Sequence, residues 1–173
     1  GYSDFIEIFP IDGYGINGSY YHGKWNDALG IGENSRTGIA EIPFIQRGDS
    51  AYVVVEGPTW EQAEANAQQL GGHLTTINDA EENIFLWDQF GSAWIGLSDT
   101  ETEGTFKWAN GEELTFQNWM PGEPNNMAPY GGGQDFVHLH SRGNGQWDDQ
   151  SNGTNPYEDW EPKFGIAEIK LGS

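Results

Sequence analysis

The stretch that decides the fold is Trp119-Met-Pro-Gly-Glu-Pro-Asn-Asn126. Its Gly and Pro residues favour two tight turns, which present a carboxylate, a carboxamide and several backbone carbonyls within a few residues. Such oxygen ligands suit a hard cation better than a proton-transfer step. We interpret this stretch as half of a calcium site. The other half is predicted at Trp147-Asp148-Asp149, where two adjacent carboxylates follow a Trp that anchors the strand in the core.

The composition fits one good-sized domain, or one domain with an appendage, within 173 residues. The 8 Trp, 9 Phe and 7 Tyr supply a core, while 25 Gly and 8 Pro indicate long irregular loops. No apolar run approaches the ~20 residues that span a bilayer and no signal peptide begins the chain, so membrane insertion is not predicted. The first residue, Gly1, suggests a piece of a larger multidomain chain.

The charge is strongly acidic, with 27 Asp and Glu against 7 Lys and Arg and a formal net charge of −20. This charge repels phosphate backbones and anionic lipid headgroups, which argues against nucleic-acid and membrane-surface partners. Bound cations would relieve the repulsion between carboxylates; simple solubility is the alternative explanation. The chain has no Cys, which excludes disulfides, thiolate metal sites and a Cys nucleophile.

The two ends of the chain share three blocks in the same order. Those blocks are Phe5–Phe9, Gly23–Asp27 and Gly38–Ile42, matched by Asp135–Leu139, Gly145–Asp149 and Gly165–Ile169. We interpret residues 1–47 as a strand-rich extension, the half-repeat of a module, and residues 48–173 as the complete domain. The first half contains Trp25-Asn26-Asp27 but no Glu-Pro-Asn stretch, so it cannot build a site alone.

The local patterns predict a mixture of helices and short strands. One helix begins after the N-cap Thr59 and runs to about Leu70, and a second begins at Asp79 or Asn78 and ends near Gly91. Strands are predicted over 50–56, 73–77, 93–97, 105–108, 114–116 and the three closing blocks. The layout is α+β, with two helices against twisted antiparallel sheets and a long loop region between Ser98 and Gly133.

Residues 50–171 resemble a C-type lectin-like domain. The resemblance rests on four landmarks in the order and spacing of that family: Trp94-Ile-Gly-Leu97, Glu123-Pro-Asn125, Trp147-Asp-Asp149 and Ile166-Ala-Glu168. The cysteine-free, acidic version is similar to ligand-binding domains of large bacterial surface adhesins, including the repeats-in-toxin type. The resemblance therefore implies an extracellular, cell-surface location and a role in adhesion.

The resemblance also implies a sugar-binding calcium site and a cis peptide bond before Pro124. Its ligands would be Glu123, Asn125, Asp148 and Asp149, with Gln134 contributing an oxygen. The same five residues would contact a carbohydrate. The Glu-then-Asn order implies equatorial 3- and 4-hydroxyls of mannose, glucose or N-acetylglucosamine, or the matching diol of fucose. Cell-surface glycans are the expected partners.

Three departures from the family pattern bear on this site. Asp148 stands where the family usually has Asn, and Gln134 stands where it commonly has Glu, so the two changes offset in charge. The loop over residues 127–133 is longer than usual. Its Tyr130 either stacks on a sugar face or forms a tip held by local packing.

A second family position for calcium would use Asp99, Glu103, Asn126 and Asp135, with Gln134 shared. Asn126 is usually acidic in the family, which weakens this position by one charge. An ordinary acidic turn is the alternative reading of the same residues.

Two other classes of function remain open. An enzyme is disfavoured because paired carboxylates arise by chance among 27, and because His22, His73, His138 and His140 lack metal-ligand spacing beside an acidic helper. The second class is a protein-binding or ice-binding domain of the same fold in which calcium is structural only.

Overall fold

The computed structural model describes residues 42–127, 133–153 and 162–172. The chain divides into two compact units, Gly1–Pro43 and Phe44–Ser173. The predicted half-repeat lies almost wholly outside the described residues, and it stays a prediction. The boundary at residue 47 also stays a prediction; Ile45–Arg47 forms a strand that pairs with the strand after it.

Ten elements follow one another along the described residues. They are β1 (Ile45–Arg47), β2 (Ser50–Glu56), α1 (Trp60–Gln69), β3 (His73–Leu74), α2 (Ala80–Phe90), β4 (Trp94–Ser98), β5 (Lys107–Trp108), β6 (Phe136–Leu139), β7 (Trp147–Gln150) and β8 (Phe164–Lys170).

The eight strands form one sheet in the order β1-β2-β8-β4-β6-β7, with β3 paired to β8 and β5 paired to β4. All of these pairs are antiparallel except β4 with β8, which is parallel and meets at Trp94 and Gly165. The last strand thus lies between β2, at the start of the unit, and β4, near its middle. The predicted α+β class is confirmed.

Both predicted helix starts are confirmed by their caps. The Thr59 side chain accepts a hydrogen bond from the Gln62 N–H at 3.2 Å, and the Asp79 Oδ1 accepts one from the Glu82 N–H at 2.7 Å. Each bond satisfies one of the backbone donors that a helix N-terminus leaves unpaired. The second helix ends at Phe90, where Gly91 adopts a positive φ of 71°.

The core is aromatic and centred on Trp147, which is fully buried. The rings of Trp108, Phe116 and Trp119 each meet its ring edge-on, with centroids 5.7 Å apart. Burying an indole of this size among aromatic neighbours stabilises the fold by several kcal/mol, on the order of 3–5 for loss of a Trp side chain. The residue that begins β7 is therefore among the most firmly held in the unit.

Close backbone approach explains the glycine in the Trp94–Leu97 block. A Cβ on Gly96 would overlap the carbonyl oxygen of Leu74. The Gly96 N–H donates to Thr75 O at 2.9 Å, which draws the two segments together. Only glycine allows β4 to lie this close to Leu74, the last residue of β3.

Some strand predictions were too long or wrong. The strand predicted over 73–77 ends at Leu74, and that over 105–108 begins at Lys107. The segment over 114–116 forms no strand. Leu114 and Phe116 pack against the core as half-buried side chains of a loop. Their alternation reflects burial of one face without a partner strand.

Candidate metal and ligand site

The loop that contains the Glu-Pro-Asn stretch is held by the strand beside it. The Met120 N–H donates to Trp147 O at 2.9 Å, and the Glu123 N–H closes a turn onto Met120 O at 3.0 Å. The peptide bond between Glu123 and Pro124 is cis, as the resemblance implied. The loop and β7 therefore meet at Trp147.

Asp149 joins the loop to β7 directly. Its carboxylate accepts a hydrogen bond at Oδ1 from the Asn125 N–H at 2.9 Å and at Oδ2 from the Asn126 N–H at 2.8 Å. Asp149 is only 1% exposed. Hydrogen bonds that end on a buried carboxylate are charge-assisted and strong, so they fix the loop against the strand.

Three carboxylates converge where the loop meets the strand. One oxygen each of Glu123, Asp148 and Asp149 lies within 4.8 Å of the other two. The Glu123 Oε2 atom is buried without a hydrogen-bond partner among the described residues. Three negative charges this close repel one another, and a buried unpaired acceptor costs free energy unless a donor or a cation interacts with it.

The raised pKa of Glu123 reflects this crowding. Burial, followed by the charges of Asp148 and Asp149 and a hydrogen bond with Asp149, raises the pKa of Glu123 to about 7. Without a cation, the cluster therefore retains a proton on Glu123 over a large part of the neutral range. A divalent ion would replace that proton and satisfy the buried oxygen, so the residues present fit calcium, which prefers carboxylate and carbonyl oxygens.

The two predicted amide ligands behave differently. The Asn125 Oδ1 accepts the Met127 N–H at 2.7 Å, so this oxygen has a local partner and its side chain lies on the exposed loop. The buried Gln134 donates through Nε2 to Gln150 Oε1 at 3.0 Å. Its Oε1 is buried with no hydrogen-bond partner among the described residues. Of the two predicted amide ligands, Gln134 is therefore the one whose side-chain oxygen is available to a cation.

The residues predicted for a second calcium position are brought into one region. The Asp99 N–H donates to Asp135 O at 3.1 Å, and Asp99 Oδ2 accepts the Gly104 N–H at 2.8 Å. The Asp99 Oδ1 is buried and lacks a hydrogen-bond partner among the described residues. Burial first, and then the charges of Asp135 and Asp149, raise the pKa of Asp99.

Glu103 and Asn126 complete this region. Desolvation, followed by the charges of Asp99 and Asp135, raises the pKa of the exposed Glu103, while a hydrogen bond with Asn126 lowers it. Asn126 Oδ1 also accepts the Gln134 N–H at 2.7 Å. In the described part of the chain, the Asp99, Glu103 and Asp135 carboxylates do not approach one another as closely as those of the first cluster.

Two histidines adjoin the first cluster, and sequence reasoning did not place them there. His138 is buried on β6 and His140 is buried just after its end, and their Nε2 atoms lie 3.8 and 3.7 Å from Asp148 Oδ2. Burial, and then the charge of His138, lower the pKa of His140. Because His140 Nδ1 accepts the Arg142 N–H at 2.9 Å, the neutral ring carries its hydrogen on Nε2, which faces Asp148.

The signal for these histidines was in the strand register. His138 pairs with Asp148 across β6 and β7. Residues two apart along extended chain share a face, and His140, just past the end of β6, faces the same Asp148 carboxylate as His138. The sequence shows that spacing, but the pairing that places Asp148 opposite appears only in the fold. Tyr130, the predicted stacking residue, lies outside the described residues.

Comparison with known proteins identifies the class. The family model described as Lectin C-type domain matches residues 56–158, which is more than half of the chain. The chain belongs to the C-type lectin domain family. Members of this family are generally non-enzymatic carbohydrate-recognition modules and are typically extracellular or at the cell surface.

Several characterised animal proteins are similar to the chain. Human C-type lectin domain family 10 member A is 38% identical over 115 residues, covering 62% of this chain and 35% of that protein. The mouse low affinity immunoglobulin epsilon Fc receptor is 41% identical over 92 residues, covering 52% of this chain and 26% of the receptor. The chain thus spans about a third or less of the length of these relatives.

Solved structures agree in fold. The cow C-type carbohydrate-recognition domain of CD23, solved in the presence of GlcNAc2Man3 oligosaccharide, has a TM-score of 0.64 at 29% identity, covering 75% of this chain and 95% of that one. The human scavenger receptor C-type lectin carbohydrate-recognition domain has a TM-score of 0.63 at 30% identity, covering 73% and 95%. A calcium-independent type II antifreeze protein shares the fold alone, with a TM-score of 0.61 at 24% identity.

Within the described residues, neither helix is long and apolar enough to cross a bilayer.

Proposed function

We propose that this domain binds carbohydrates through a calcium ion held by Glu123, Asp148 and Asp149. The observation that carries the proposal is the convergence of these three carboxylates within 4.8 Å, with one oxygen of Glu123 buried and unpartnered. An uncompensated cluster of this kind is costly, and a divalent cation is the simplest group that offsets it. The unpartnered Oε1 of Gln134 supports a fourth oxygen ligand.

When bound, calcium would supply open coordination positions that two vicinal hydroxyls of a sugar can fill, since it accepts about 6 to 8 oxygens. The residues of this chain would then orient the sugar. Glu123 and an Asp of the cluster accept hydrogen bonds from the hydroxyls, and the exposed Asn125 donates one through its amide. Tyr130 remains a proposed stacking contact.

The proposed sugar class is mannose, glucose, N-acetylglucosamine or fucose. Support comes from the Glu-then-Asn order of residues 123 and 125 and from the related cow domain, which was solved in the presence of a mannose- and N-acetylglucosamine-containing oligosaccharide. The proposed partners are glycans on cell surfaces. A single site of this kind is expected to bind a monosaccharide with a Kd on the order of millimolar, about −4 kcal/mol.

A glycan array and isothermal titration with methyl mannoside, fucose and galactose test the proposal, each with calcium and with chelator. We expect binding of mannose and fucose, none of galactose, and complete loss with chelator. Calcium binding without any sugar binding would favour a protein-binding or ice-binding domain with structural calcium. Sugar binding that survives chelation would contradict a calcium-mediated site.

We further propose that the domain is the ligand-binding module of a large bacterial surface adhesin. The support is compositional: the chain has no Cys and a net charge of −20, which suits a calcium-rich exterior without disulfides. Adhesion would then depend on many copies acting together on one surface. Beads carrying many copies should adhere to mannose-coated surfaces in calcium, and a failure to adhere at any density would contradict this role.

A further inference from the structure

We propose that Asn83, on α2, is a positioning residue for the calcium and sugar site. Among the described residues its side chain forms hydrogen bonds with Gly145 and Trp147 and with none of the predicted ligands, yet it holds the segment that leads into two of them. The proposal rests on the proposed function, because it concerns the geometry of that same site. It adds a residue from a helix that neither the motif nor the family landmarks single out.

Asn83 makes two hydrogen bonds to the chain just before the acidic pair. Its Oδ1 accepts the Trp147 Nε1–H at 2.7 Å, and its Nδ2 donates to the Gly145 carbonyl at 3.0 Å. The residue is 3% exposed. Both partners lie on the path into β7, so one buried amide fixes the turn and the first residue of the strand.

Trp147 connects the segment held by Asn83 to both halves of the site. Its backbone N–H donates to Asn118 O at 2.7 Å, and its carbonyl accepts the Met120 N–H at 2.9 Å. The next two residues along the strand are Asp148 and Asp149. A shift of the Trp147 backbone would therefore displace the loop and the acidic pair together.

The amide type matters for this role. Asn offers one acceptor and two donors, which match an indole N–H and a backbone carbonyl at the same time. A buried indole N–H without an acceptor is costly, so loss of Asn83 leaves the Trp147 donor unsatisfied. The Gly145 carbonyl would keep only the longer bond from Asn118 Nδ2, at 3.3 Å. Removal of a residue that orients metal ligands without binding the metal itself typically weakens metal affinity about 10- to 100-fold.

The test compares calcium affinity and thermal stability in the full chain. The variants are Asn83→Ala, Trp147→Phe and the two combined, with Val53→Ala as the control. Val53 is buried on β2 and contributes packing without a polar contact to the site. Titration calorimetry of calcium, at a temperature at which all variants are folded by circular dichroism, is set beside Tm.

We expect Asn83→Ala to weaken calcium binding about tenfold, and Val53→Ala to lower Tm while leaving calcium affinity unchanged. The combined variant should bind calcium no more than slightly worse than Trp147→Phe, because one bond is removed in both. If Asn83→Ala does not fold, Trp147→Phe carries the test, since it removes the N–H donor and keeps an aromatic ring.

Two results would overturn the inference, and they are distinguishable. Wild-type protein that binds calcium, with Asn83→Ala and Trp147→Phe binding it equally well despite a lower Tm, would make Asn83 a structural residue only. Wild-type protein that binds no calcium would remove the proposed function, and this inference with it.

Discussion

Asp149 holds Asn125 by its backbone: Oδ1 of the buried carboxylate accepts the Asn125 N–H at 2.9 Å. The other carboxylate oxygen accepts the N–H of the next residue, Asn126. One strand carboxylate thus organises the loop before any cation is present. The site is partly assembled by the protein alone, and the cation would add charge compensation to a loop that is already positioned.

Asp149→Asn tests this organising role in calcium-free protein. The substitution replaces one carboxylate oxygen by an NH2 group, which cannot accept the loop N–H. Loss of a charge-assisted bond is expected to lower the free energy of unfolding by about 1–3 kcal/mol. This loss exceeds the gain from removing a negative charge, because Glu123 already takes up a proton in the crowded cluster.

Urea unfolding in chelator measures this effect, with Asp88→Asn as the matched control. Asp88 is exposed on α2, and its substitution should change stability by less than about 0.5 kcal/mol. Amide hydrogen exchange at Asn125 and Asn126 should speed up in Asp149→Asn only. Equal stability in the two variants would contradict the organising role.

Glu123→Gln should shift stability in opposite directions with and without calcium. In chelator and above the Glu123 pKa of about 7, the variant lacks one of three crowded charges, so its Tm should exceed that of wild type. In calcium, it lacks a ligand charge, so its calcium affinity should fall by about tenfold or more and the order of Tm values should reverse. The exposed Glu113→Gln should leave both curves unchanged. A lower Tm for Glu123→Gln in chelator would contradict the proposed crowding.

The raised pKa of Glu123 gives the pH dependence of the calcium-free protein its sign. The pKa is about 7 in the folded state against an ordinary value of 4.5, so folding favours the protonated carboxyl. This stabilisation is fully present below about pH 4.5 and is lost as the pH rises through about 7. Calcium affinity should rise over the same interval, since the deprotonated carboxylate is the ligand.

The lowered pKa of His140 acts in the opposite direction. Its folded state disfavours the protonated ring, so its contribution to stability rises with pH. The difference between wild type and Glu123→Gln isolates the Glu123 contribution, because both proteins keep His140. That difference should grow between about pH 5 and about pH 8 in chelator, and a difference that is constant across this range would contradict the assignment.

Local chemistry made much of this fold predictable. Thr59 and Asp79 are good N-caps, and the residues after them bury one helical face, so both helix starts could be found from the sequence. The α+β class followed from the same elements. The segment over 114–116 misled because alternating burial does not require a partner strand, and only the tertiary fold decides whether a strand is present to pair with it.

The sequence predicted the residues of the candidate site that belong to a motif, and it did not predict the others. Glu123, Asp148 and Asp149 are neighbours of turn or core residues that the sequence displays. Asn83 and His140 reach the site through pairing and helix packing, which depend on register and on contacts between distant segments. No spacing along the chain encodes those contacts.

Gly133→Ala tests whether the second group of acidic residues holds a separate cation. A Cβ at this position would collide with Asp135 Oδ1 and approach Asn126 Oδ1 to 3.4 Å, so the Asp135 carboxylate would have to turn away. The Asp135 and Asn126 oxygens both belong to the predicted second calcium position, whereas Glu123 and Asp148 belong to the first. If two calcium ions bind, the variant should lose or weaken by about tenfold the binding event that depends on Asp135, and should retain the other.

Calorimetric titration of calcium resolves the two events. Gly172→Ala is the matched control, because a Cβ there meets nothing within 4 Å. A two-event isotherm unchanged by Gly133→Ala would show that Asp135 is not a ligand, and the Asp99 region would then be an acidic turn without a bound cation.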